Sequence, residues 1–224
     1  MTVKLVAMTN DPLNTCEEAA CTCYDSTPDA DHPYRILNSC IKNGHQSVAE
    51  HANFTFEITG ISRACLAQLT RHRLASFSVR SQRYCSEEGF GYVTPQKIKD
   101  NTNAYTIYRS LMTTIGSVYK FLTTECGIEN EDARFVLPNA CETTLTMTVN
   151  LRELIHICNE RMCSRAQWEI RALVHEMAAC VVEVVPEAKR WLVPKCEKDP
   201  DHPFCPERQC CGRHKKLSEV YKDE

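Results

Sequence analysis

The segment RHRLASFSVRSQRY, residues 71–84, contains four arginines and one histidine but no carboxylate. The imbalance extends beyond this segment, because no acidic residue occurs between Glu57 and Glu87, where Arg63 adds a fifth arginine. Three kinds of anion could balance these cations: carboxylates elsewhere in the fold, a nucleic-acid backbone, or the phosphates of a small molecule. The segment therefore predicts an anion site, and the rest of the chain indicates which anion it binds.

The charge of the whole chain argues against nucleic acid. The sequence has 26 basic and 29 acidic residues, a formal charge of −3, whereas nucleic-acid binders usually carry a broad basic stripe. An RNA-binding module could use Phe77 and Tyr84 to stack bases, but the chain contains no recognisable nucleic-acid-binding motif. We therefore expect a local phosphate site and no nucleic-acid partner.

Length and composition favour one large, soluble domain. The 224 residues are 43% hydrophobic, and no Gly/Ser-rich or Pro-rich linker divides them. The start MTVKLVAMTNDP is too short an apolar run for a signal peptide, and no run of about 18 apolar residues occurs. Fifteen cysteines, an odd number found mostly in apolar segments, indicate reduced core thiols. We expect a cytoplasmic protein with no membrane partner.

Hydrophobic periodicity predicts both helices and strands, and hence an α+β fold. The segments ANFTFEI (52–58) and TLTMTV (144–149) alternate apolar and polar residues, which is typical of half-buried strands. Helices are predicted from Asp11-Pro12 to about Cys23, within 31–44, from Thr94-Pro95 to Gly127, from about Glu129 to Pro138, from Leu151 to about Met162, and from the capping box Ser164-x-x-Gln167 to near Pro186.

The helix predicted after the second strand has polar residues on both flanks of its apolar face. Arg152 and His156 share one side, and Arg161 lies about 180° from Arg152 at 100° per residue. The simpler alternative is that the two arginines are solvated and pair with Glu153 and Glu160. His156 alone is likewise more typical of a structural histidine than of a ligand or base.

Several sequence blocks, taken together, favour the functional alternative. RHRLASFSVRS has the form Arg-His-Arg, seven residues, Ser, and resembles the signature of the flavin-dependent thymidylate synthases. Upstream, NGHQSVAEHANFTFEI is similar to the His-x-x-Ser/Thr-x-x-Glu-His segment of that family. Downstream, ARFVLP, TVNLRELIH and NERMCSRAQWEIR resemble further family blocks in the family's order. The resemblance covers roughly residues 1–190.

The resemblance implies an architecture and an assembly. Residues 1–190 would form a single domain with a central, mostly antiparallel sheet packed by helices, and residues 191–224 a Cys-rich C-terminal extension. The domain would assemble as a homotetramer whose active sites are shared between subunits.

The resemblance also implies a reaction, the reductive methylation of dUMP to dTMP. Methylenetetrahydrofolate would supply the carbon, reduced FAD the hydride, and NADPH the electrons that reload the flavin. Arg161 would be catalytic, because it would stabilise the negative charge that develops when the uracil ring loses its N3 proton. Ser81 would bind the nucleotide and would not act as a nucleophile.

The remaining site residues are carried over from the matching family motifs. The flavin site would contain Ser47, Arg71, His72, Arg73, Val79, Asn150, Arg152 and His156. The nucleotide site would contain Gln68, Arg80, Ser81, Gln82, Arg83, Arg134 and Arg161. His45 and Glu50 would lie at the folate and flavin entrance. Val79 departs from the family, which often has an acidic residue two positions before the motif serine, so only a backbone contact is expected there.

The C-terminal extension has a possible metal-binding composition. Cys196, Cys205, Cys210 and Cys211, with His202 and His214 nearby, could supply four zinc ligands, as in a zinc-dependent binding protein. The spacing lacks the paired Cys-x2-Cys knuckles of ordinary zinc sites. We therefore predict no metal and an irregular, reduced extension over the subunit surface.

Overall fold

The structure is a computed structural model, and it describes residues 1–220. Residues 221–224, the end of the predicted extension, lie outside the described residues. The α-helices are α1 (Pro12–Thr22), α2 (Arg35–Lys42), α3 (Arg63–Leu69), α4 (Gln96–Lys99), α5 (Thr102–Lys120), α6 (Asn130–Ala133), α7 (Leu151–Arg161), α8 (Trp168–Val184) and α9 (Leu217–Val220). Single 3₁₀ or π turns occur at Gln46–His51, Phe121–Glu125, Arg134–Val136, Pro186–Arg190 and Lys195–Glu197.

Four strands form one antiparallel sheet, which confirms the predicted α+β class. The strands are β1 (Thr2–Met8), β2 (Asn53–Ser62), β3 (Ser76–Val79) and β4 (Glu142–Asn150). Their order in the sheet is β1-β2-β4-β3, so the two long predicted strands, β2 and β4, are its centre. In β2, Phe54, Phe56 and Ile58 are fully buried, as the alternating pattern predicted.

The chain divides into two compact units. Unit 1 consists of residues 1–2, 58–71 and 77–146, and unit 2 consists of residues 3–57, 72–76 and the chain from Met147 onward. The division passes through β2 and β4, so each unit is built from segments that are far apart in the sequence. The predicted boundary between residues 1–190 and a C-terminal extension stays a prediction.

Unit 1 is organised around α5. Tyr119 on this helix is fully buried, and its hydroxyl accepts from the Glu87 backbone N–H at 3.1 Å and donates to Asn130 Oδ1 at 3.0 Å. Both bonds satisfy a phenolic group that would otherwise be buried without partners. The loop that follows the arginine segment is thereby fixed to α5.

Unit 2 packs α1, α2, α7 and α8 around a core that includes Leu37, Leu151 and Leu154. Glu17 of α1 is only 1% exposed, and its carboxylate accepts from the backbone N–H groups of Ile36 and Leu37 at 3.2 and 2.6 Å. A carboxylate at these free N–H groups stabilises the start of α2.

Two helix boundaries differ from the predictions. The helix predicted from Thr94-Pro95 to Gly127 is interrupted, because the Asn101 side chain accepts from the Ala104 N–H at 3.0 Å and starts α5 anew. The predicted Ser164 cap is wrong: α8 starts at Trp168, and its cap is Gln167, whose side chain accepts from two backbone N–H groups of the first turn. The helix predicted after Glu129 is α6 followed by a single 3₁₀ turn.

Four of the named helices and strands were not predicted, namely β1, α3, β3 and α9. The strand β3 has four residues and lies inside the arginine segment, and α3 has seven residues, capped by the Ser62 side chain, which accepts from the Cys65 N–H at 3.0 Å. Elements of this length give little periodic signal.

All fifteen cysteines are free thiols, and the largest group of them is buried. The buried ones are Cys16, Cys21, Cys40, Cys65, Cys141, Cys158, Cys196 and Cys205. Within residues 1–220, none of the helices combines the length and apolar character needed to span a bilayer.

Candidate active site

In unit 2, His72 is the centre of a buried polar cluster. The residue is 6% exposed, and its Nε2 accepts a hydrogen bond from Arg161 Nε–H at 3.0 Å. Its Nδ1 lies 3.5 Å from a carboxylate oxygen of Glu153, and its ring contacts the His156 ring edge-on with centroids 5.8 Å apart. The cluster thus joins the turn after α3 to the helix α7.

The His72 imidazole is neutral. Burial, then the electrostatic effects of the neighbouring Arg161 and His156, lower the pKa of His72 to about 4. Because Nε2 accepts from an arginine, the proton of the neutral ring is assigned to Nδ1, which faces Glu153. Burial also raises the pKa of Glu153. Because the His72 ring is neutral, its contact with Glu153 is a polar contact and not an ion pair.

Helix α7 supplies the other members of the cluster. Its N-cap is Asn150, whose side chain accepts from the Glu153 N–H at 2.9 Å, and the N–H of Leu151 donates to Ala52 O at 2.8 Å. The start of the helix is therefore fixed at both its cap and its first residue, and Arg161 is its last residue. Arg161 and His156 both contact His72, although they lie about 140° apart on a helical wheel.

The predicted flavin residue Arg152 lies one helical turn before His156 in α7, and Ser47 belongs to the 3₁₀ segment Gln46–His51. Arg152 is exposed and forms an ion pair with Glu50, 102 positions earlier, and not with Glu153 as the simpler alternative had it. Glu160 pairs with Lys195 and not with Arg161. Ser47 is an exposed residue of this segment, and the exposed His45 directly precedes it.

Four of the predicted site arginines have no carboxylate within ion-pair distance among residues 1–220. They are Arg71, Arg73, Arg134 and Arg161. Arg71 and Arg73 are exposed in the turn after α3, and Arg161 is half-buried with only its Nε bonded, to a neutral acceptor. A guanidinium group without a carboxylate partner can accept an oxyanion with little rearrangement.

In unit 1, the arginine segment is held by carboxylates. Arg80 forms an ion pair with Glu87, which is only 4% exposed, and its second Nη donates to Ser86 O at 2.8 Å. Arg63 donates to Arg80 O at 2.9 Å, while its own Nε is buried with no hydrogen-bond partner in the described part of the chain. Burial lowers the pKa of Arg63.

The neighbouring Arg83 has the same kind of restraint. It forms an ion pair with Glu131 and donates to the Tyr84 hydroxyl at 3.2 Å, with its guanidinium carbon 5.2 Å from the Tyr84 ring centre. Arg134 Nε donates to Glu131 O at 3.0 Å. Ser81 Oγ accepts from the Arg83 N–H at 3.1 Å, which closes the turn between these residues. Glu131 therefore positions two of the predicted nucleotide-binding arginines.

The remaining predicted residues of unit 1 are less engaged. Gln82 donates to Cys141 Sγ at 3.5 Å, and Gln68 donates only to Ala64 O of its own helix, at 3.4 Å. Val79 is the half-buried last residue of β3. Each unit thus collects its own set of predicted residues: the nucleotide set, apart from Arg161, lies in unit 1, and the flavin set, apart from Arg71 and Val79, lies in unit 2.

Sequence reasoning missed four residues that organise these sets. Glu87, Glu131 and Glu153 hold or face predicted site residues, and Arg63 is a buried cation in the same segment. The acid-free stretch could have led to Arg63, since it counts among the five arginines. Nothing in the sequence connects Glu131 with Arg83, which is 48 positions away.

His72, Glu153 and His156 also have the spacing of a metal-binding group, with donor atoms within 4.8 Å of one another. Both His72 nitrogens are engaged, Nε2 by Arg161 and Nδ1 facing Glu153. A cation there would also lie beside the Arg161 guanidinium. This geometry favours an anion at the cluster over a metal ion.

Comparisons with known proteins identify the family of the chain. A family model described as "Thymidylate synthase complementing protein" matches residues 4–187. A flavin-dependent thymidylate synthase from Geobacter sulfurreducens is 40% identical over 234 positions, covering 100% of this chain and 99% of the relative. One from Nitratidesulfovibrio vulgaris is 41% identical, covering 95% of this chain and 94% of the relative.

The fold is also found in a solved structure. The flavin-dependent thymidylate synthase from Helicobacter pylori, complexed with FAD and dUMP, has a TM-score of 0.70 to this chain at 23% identity, covering 86% of this chain and 100% of that one. The family match and the named relatives define the class of the protein, a thymidylate synthase, and the solved structure shows the same fold. The chain belongs to the flavin-dependent thymidylate synthase family, as its sequence blocks predicted.

Proposed function

We propose that this chain carries out the reductive methylation of dUMP to dTMP. Methylenetetrahydrofolate would donate the carbon, and NADPH would supply the electrons for each turnover. FAD, when bound, would supply the hydride. Membership of the family supports this reaction, as do the names of the relatives and the FAD and dUMP bound to the H. pylori protein.

The predicted flavin residues fit a dinucleotide with a pyrophosphate. Arg71 and Arg73 are exposed cations with no carboxylate partner among the described residues, and forked guanidinium groups match phosphate oxygens. In unit 2, Asn150 and Arg152 stand at the start of α7, where Glu50 restrains Arg152. These residues would bind and orient the cofactor. The buried His72 would contribute by holding its neighbours in position.

The observation that carries the proposal is the hydrogen bond from Arg161 to neutral His72. It uses Nε of the guanidinium and leaves both Nη groups for an acceptor that becomes anionic. When the uracil N3 loses its proton, Arg161 would stabilise the resulting charge, and a preoriented cation needs little reorganisation to do so. A neutral His72 is required, because a protonated ring would repel Arg161 and could not accept its hydrogen bond.

Nucleotide binding would require an exchange of ion-pair partners in unit 1. Arg80 and Arg83 are held by Glu87 and Glu131, so a phosphate would have to share or displace these carboxylates. Arg134, by contrast, donates its Nε only to a backbone carbonyl and keeps its Nη groups for the phosphate. Gln68 and Gln82 would complete the site as neutral hydrogen-bonding groups.

A product assay tests the reaction directly. Purified chain, reconstituted with FAD under anaerobic conditions, is mixed with dUMP, methylenetetrahydrofolate and NADPH, and dTMP is measured by chromatography. We expect dTMP only when all three substrates are present. Arg109→Ala, at an exposed arginine of α5 that pairs with the Tyr105 ring, is the control and should keep full activity.

A preparation that binds FAD and dUMP but forms no dTMP in this assay would contradict the proposed reaction. Formation of dTMP without methylenetetrahydrofolate would instead remove folate as the carbon donor.

We also propose a homotetramer whose active sites are shared between subunits. An apolar stripe on α5 supports this assembly: Ile107, Leu111 and Val118 are 70, 52 and 41% exposed at helical spacing, and Phe121 continues it at 57%. Stripes of this kind on a soluble protein mark a surface that another chain covers.

Light scattering on wild type and Val118→Glu tests the assembly. The wild type should have the mass of four chains, and the variant should dissociate and lose dTMP formation. Thr113→Glu, at an exposed position outside the stripe, is the matched control. A fully active monomer would rule out shared sites.

A further inference from the structure

The segment after α8 has a small core in which thiols replace large apolar side chains. Apart from single helical turns, residues 191–220 have little regular structure. Their buried side chains include Trp191 and Leu192 near the start, but further along the chain they are Cys196 and Cys205. Segments that bury so little apolar surface usually depend on a cross-link, and both of these cysteines are free thiols.

Three metal-binding side chains converge in this segment. Cys196 Sγ, a Glu197 carboxylate oxygen and a ring nitrogen of His214 all lie within 4.8 Å of one another. His214 Nε2 is 3.3 Å from Glu197 Oε1. His214 lies 17 positions after Glu197 in the sequence, so its approach to the adjacent Cys196 and Glu197 results from the fold.

The backbone of the extension holds His214 in place. Cys210 Sγ–H donates to His214 O at 2.9 Å, and the Cys205 N–H donates to Lys215 O at 2.8 Å. The chain on either side of His214 is thereby tied to the Cys205–Cys210 stretch. The histidine is thus part of a folded loop, in contrast to His202, whose side chain is 82% exposed.

The donor set matches the preferences of zinc. Zn²⁺ binds thiolate, imidazole and carboxylate at about 2.0–2.3 Å in a tetrahedron, which puts neighbouring donors about 3.6 Å apart. The three donors here need to move only slightly to reach that spacing. A fourth donor is available, because Cys205 borders the same cavity of about 10 Å³ as Cys196.

Nearby cations would balance the charge of such a site. Two thiolates, one carboxylate and one neutral imidazole around Zn²⁺ carry a net charge of −1. Arg213 donates to Glu197 at 3.2 Å, and Lys195 borders the cavity. Positive groups next to a metal–thiolate site stabilise the deprotonated ligands.

We propose that Cys196, Glu197 and His214, completed by Cys205, bind one zinc ion that holds the C-terminal extension in its folded form. We expected no metal from the sequence because the segment lacks a Cys-x2-Cys pair. In the structure, the adjacent Cys196 and Glu197 and the distant His214 supply the donors instead. Zinc binding does not depend on the proposed reaction, because the metal is measured independently of dTMP formation.

The test is metal content of the full chain, expressed with zinc in the medium and measured by elemental analysis after gel filtration. We expect about one zinc per chain in the wild type and less than about a tenth of that in Cys196→Ser and His214→Gln, since a structural site needs all its ligands. His202→Gln and Cys126→Ser are the matched controls, both at exposed positions, and should keep the metal.

Replacing one zinc ligand by another distinguishes loss of the metal site from loss of folding. His214→Cys should keep zinc, and when loaded with Co²⁺ it should absorb more strongly in the thiolate-to-metal charge-transfer region than the wild type. Chelation of the wild type should also expose the bonds after Arg208 and Arg213 to trypsin. Wild type without zinc, or a Cys196→Ser variant with as much zinc as His202→Gln, would overturn the proposal.

Discussion

Arg80 and Arg83 of unit 1 and Arg161 of unit 2 are prepared for anions in opposite ways. In unit 1, Arg80 and Arg83 are occupied by Glu87 and Glu131. In unit 2, Arg161 is bonded only to the neutral ring of His72 and has no carboxylate within ion-pair distance in the described chain. The positive charges of Arg80 and Arg83 are therefore balanced by carboxylates, whereas the positive charge of Arg161 is not balanced by a carboxylate within ion-pair distance among the described residues.

This difference indicates a division of roles. Ion pairs fix the position of exposed arginines, but an incoming phosphate must compete with the carboxylate, so binding becomes an exchange. An unpaired and partly buried cation is held at some cost in stability, and such costs are typical of catalytic groups. Arg161 is therefore expected to contribute mainly to turnover, and the unit 1 arginines mainly to binding.

The largest expected effect is at Arg161. Arg161→Ala should lower kcat by about 10²–10³-fold, the usual effect of removing one group that stabilises a developing oxyanion. The measurement is single-turnover dTMP formation with saturating dUMP. Arg161→Lys should recover only part of the rate, since an ammonium group lacks the Nε that bonds His72. If Arg161→Ala changes KM and leaves kcat unchanged, Arg161 binds the nucleotide and does not stabilise the transition state.

Cysteine variants are the control for this mechanism. Cys85→Ser should keep most of the turnover, because a hydride transfer to polarised uracil needs no enzyme nucleophile. Burial, followed by the charge of Glu87, raises the pKa of Cys141 to about 11, so this thiol near Gln82 stays protonated at neutral pH. A trapped adduct between the protein and uracil at any cysteine would contradict the role given to Arg161.

The next effect separates the two ligands. Arg73→Ala should weaken FAD retention by about 10–100-fold with little change in dUMP binding, because it removes a charge-assisted bond to one phosphate group only. Arg134→Ala should do the reverse. Flavin absorbance after gel filtration and calorimetric titration with dUMP measure the two affinities. Equal loss of both ligands in both variants, with an unchanged circular dichroism spectrum, would refute the division.

The central strands and the family motifs could be predicted because their signals are local. The alternation of Phe54, Phe56 and Ile58 defines β2, and the Arg-His-Arg block is contiguous. The segment β1 was read only as an N-terminal apolar run, since its exposed Val6 and Met8 leave no clear buried face. The sequence predicts one continuous helix where the structure has α4 and α5. The break between them depends on one side chain, Asn101, whose capping hydrogen bond starts α5 despite the continuous helical pattern.

The sequence does not predict the partners of the arginines. The simpler alternative paired the α7 arginines with the neighbouring Glu153 and Glu160, but the partner of Arg152 is Glu50, 102 positions away. Local spacing predicts which residues share a helix face, whereas ion-pair partners depend on how distant segments meet. For the same reason, the absence of Cys-x2-Cys pairs did not show that the candidate ligands Cys196 and His214 converge in the fold.

The pH dependence of stability tests the neutral state of His72. Because the pKa of His72 is lowered to about 4 in the folded chain, the unfolded chain binds an extra proton between pH 6.5 and about 4. Stability should therefore fall as the pH decreases through this range, by about 2 kcal/mol between pH 7 and pH 5 from this group alone.

Urea unfolding midpoints at several pH values measure this slope. His72→Asn should flatten this slope, because it removes the group whose pKa is lowered on folding. An identical slope in the wild type and His72→Asn would mean that His72 takes up its proton at the same pH in the folded and the unfolded chain, which would contradict its lowered pKa.

The smallest expected effect compares one capping residue from each unit. Asn101 caps α5 in unit 1 through Ala104 N–H, and Asn150 caps α7 in unit 2 through Glu153 N–H, at 3.0 and 2.9 Å. Replacing either by Ala removes the same kind of hydrogen bond, so each should reduce the free energy of unfolding by about 1 kcal/mol. Asn150→Ala should in addition weaken FAD retention, because this residue is predicted to bind the flavin, while Asn101→Ala should not. Denaturant unfolding gives the first quantity and flavin absorbance after gel filtration the second. If the two variants lose equal stability and both retain the flavin fully, Asn150 is only a helix cap, and the flavin site of unit 2 has to be placed on the cations that follow it in α7 and on Arg73.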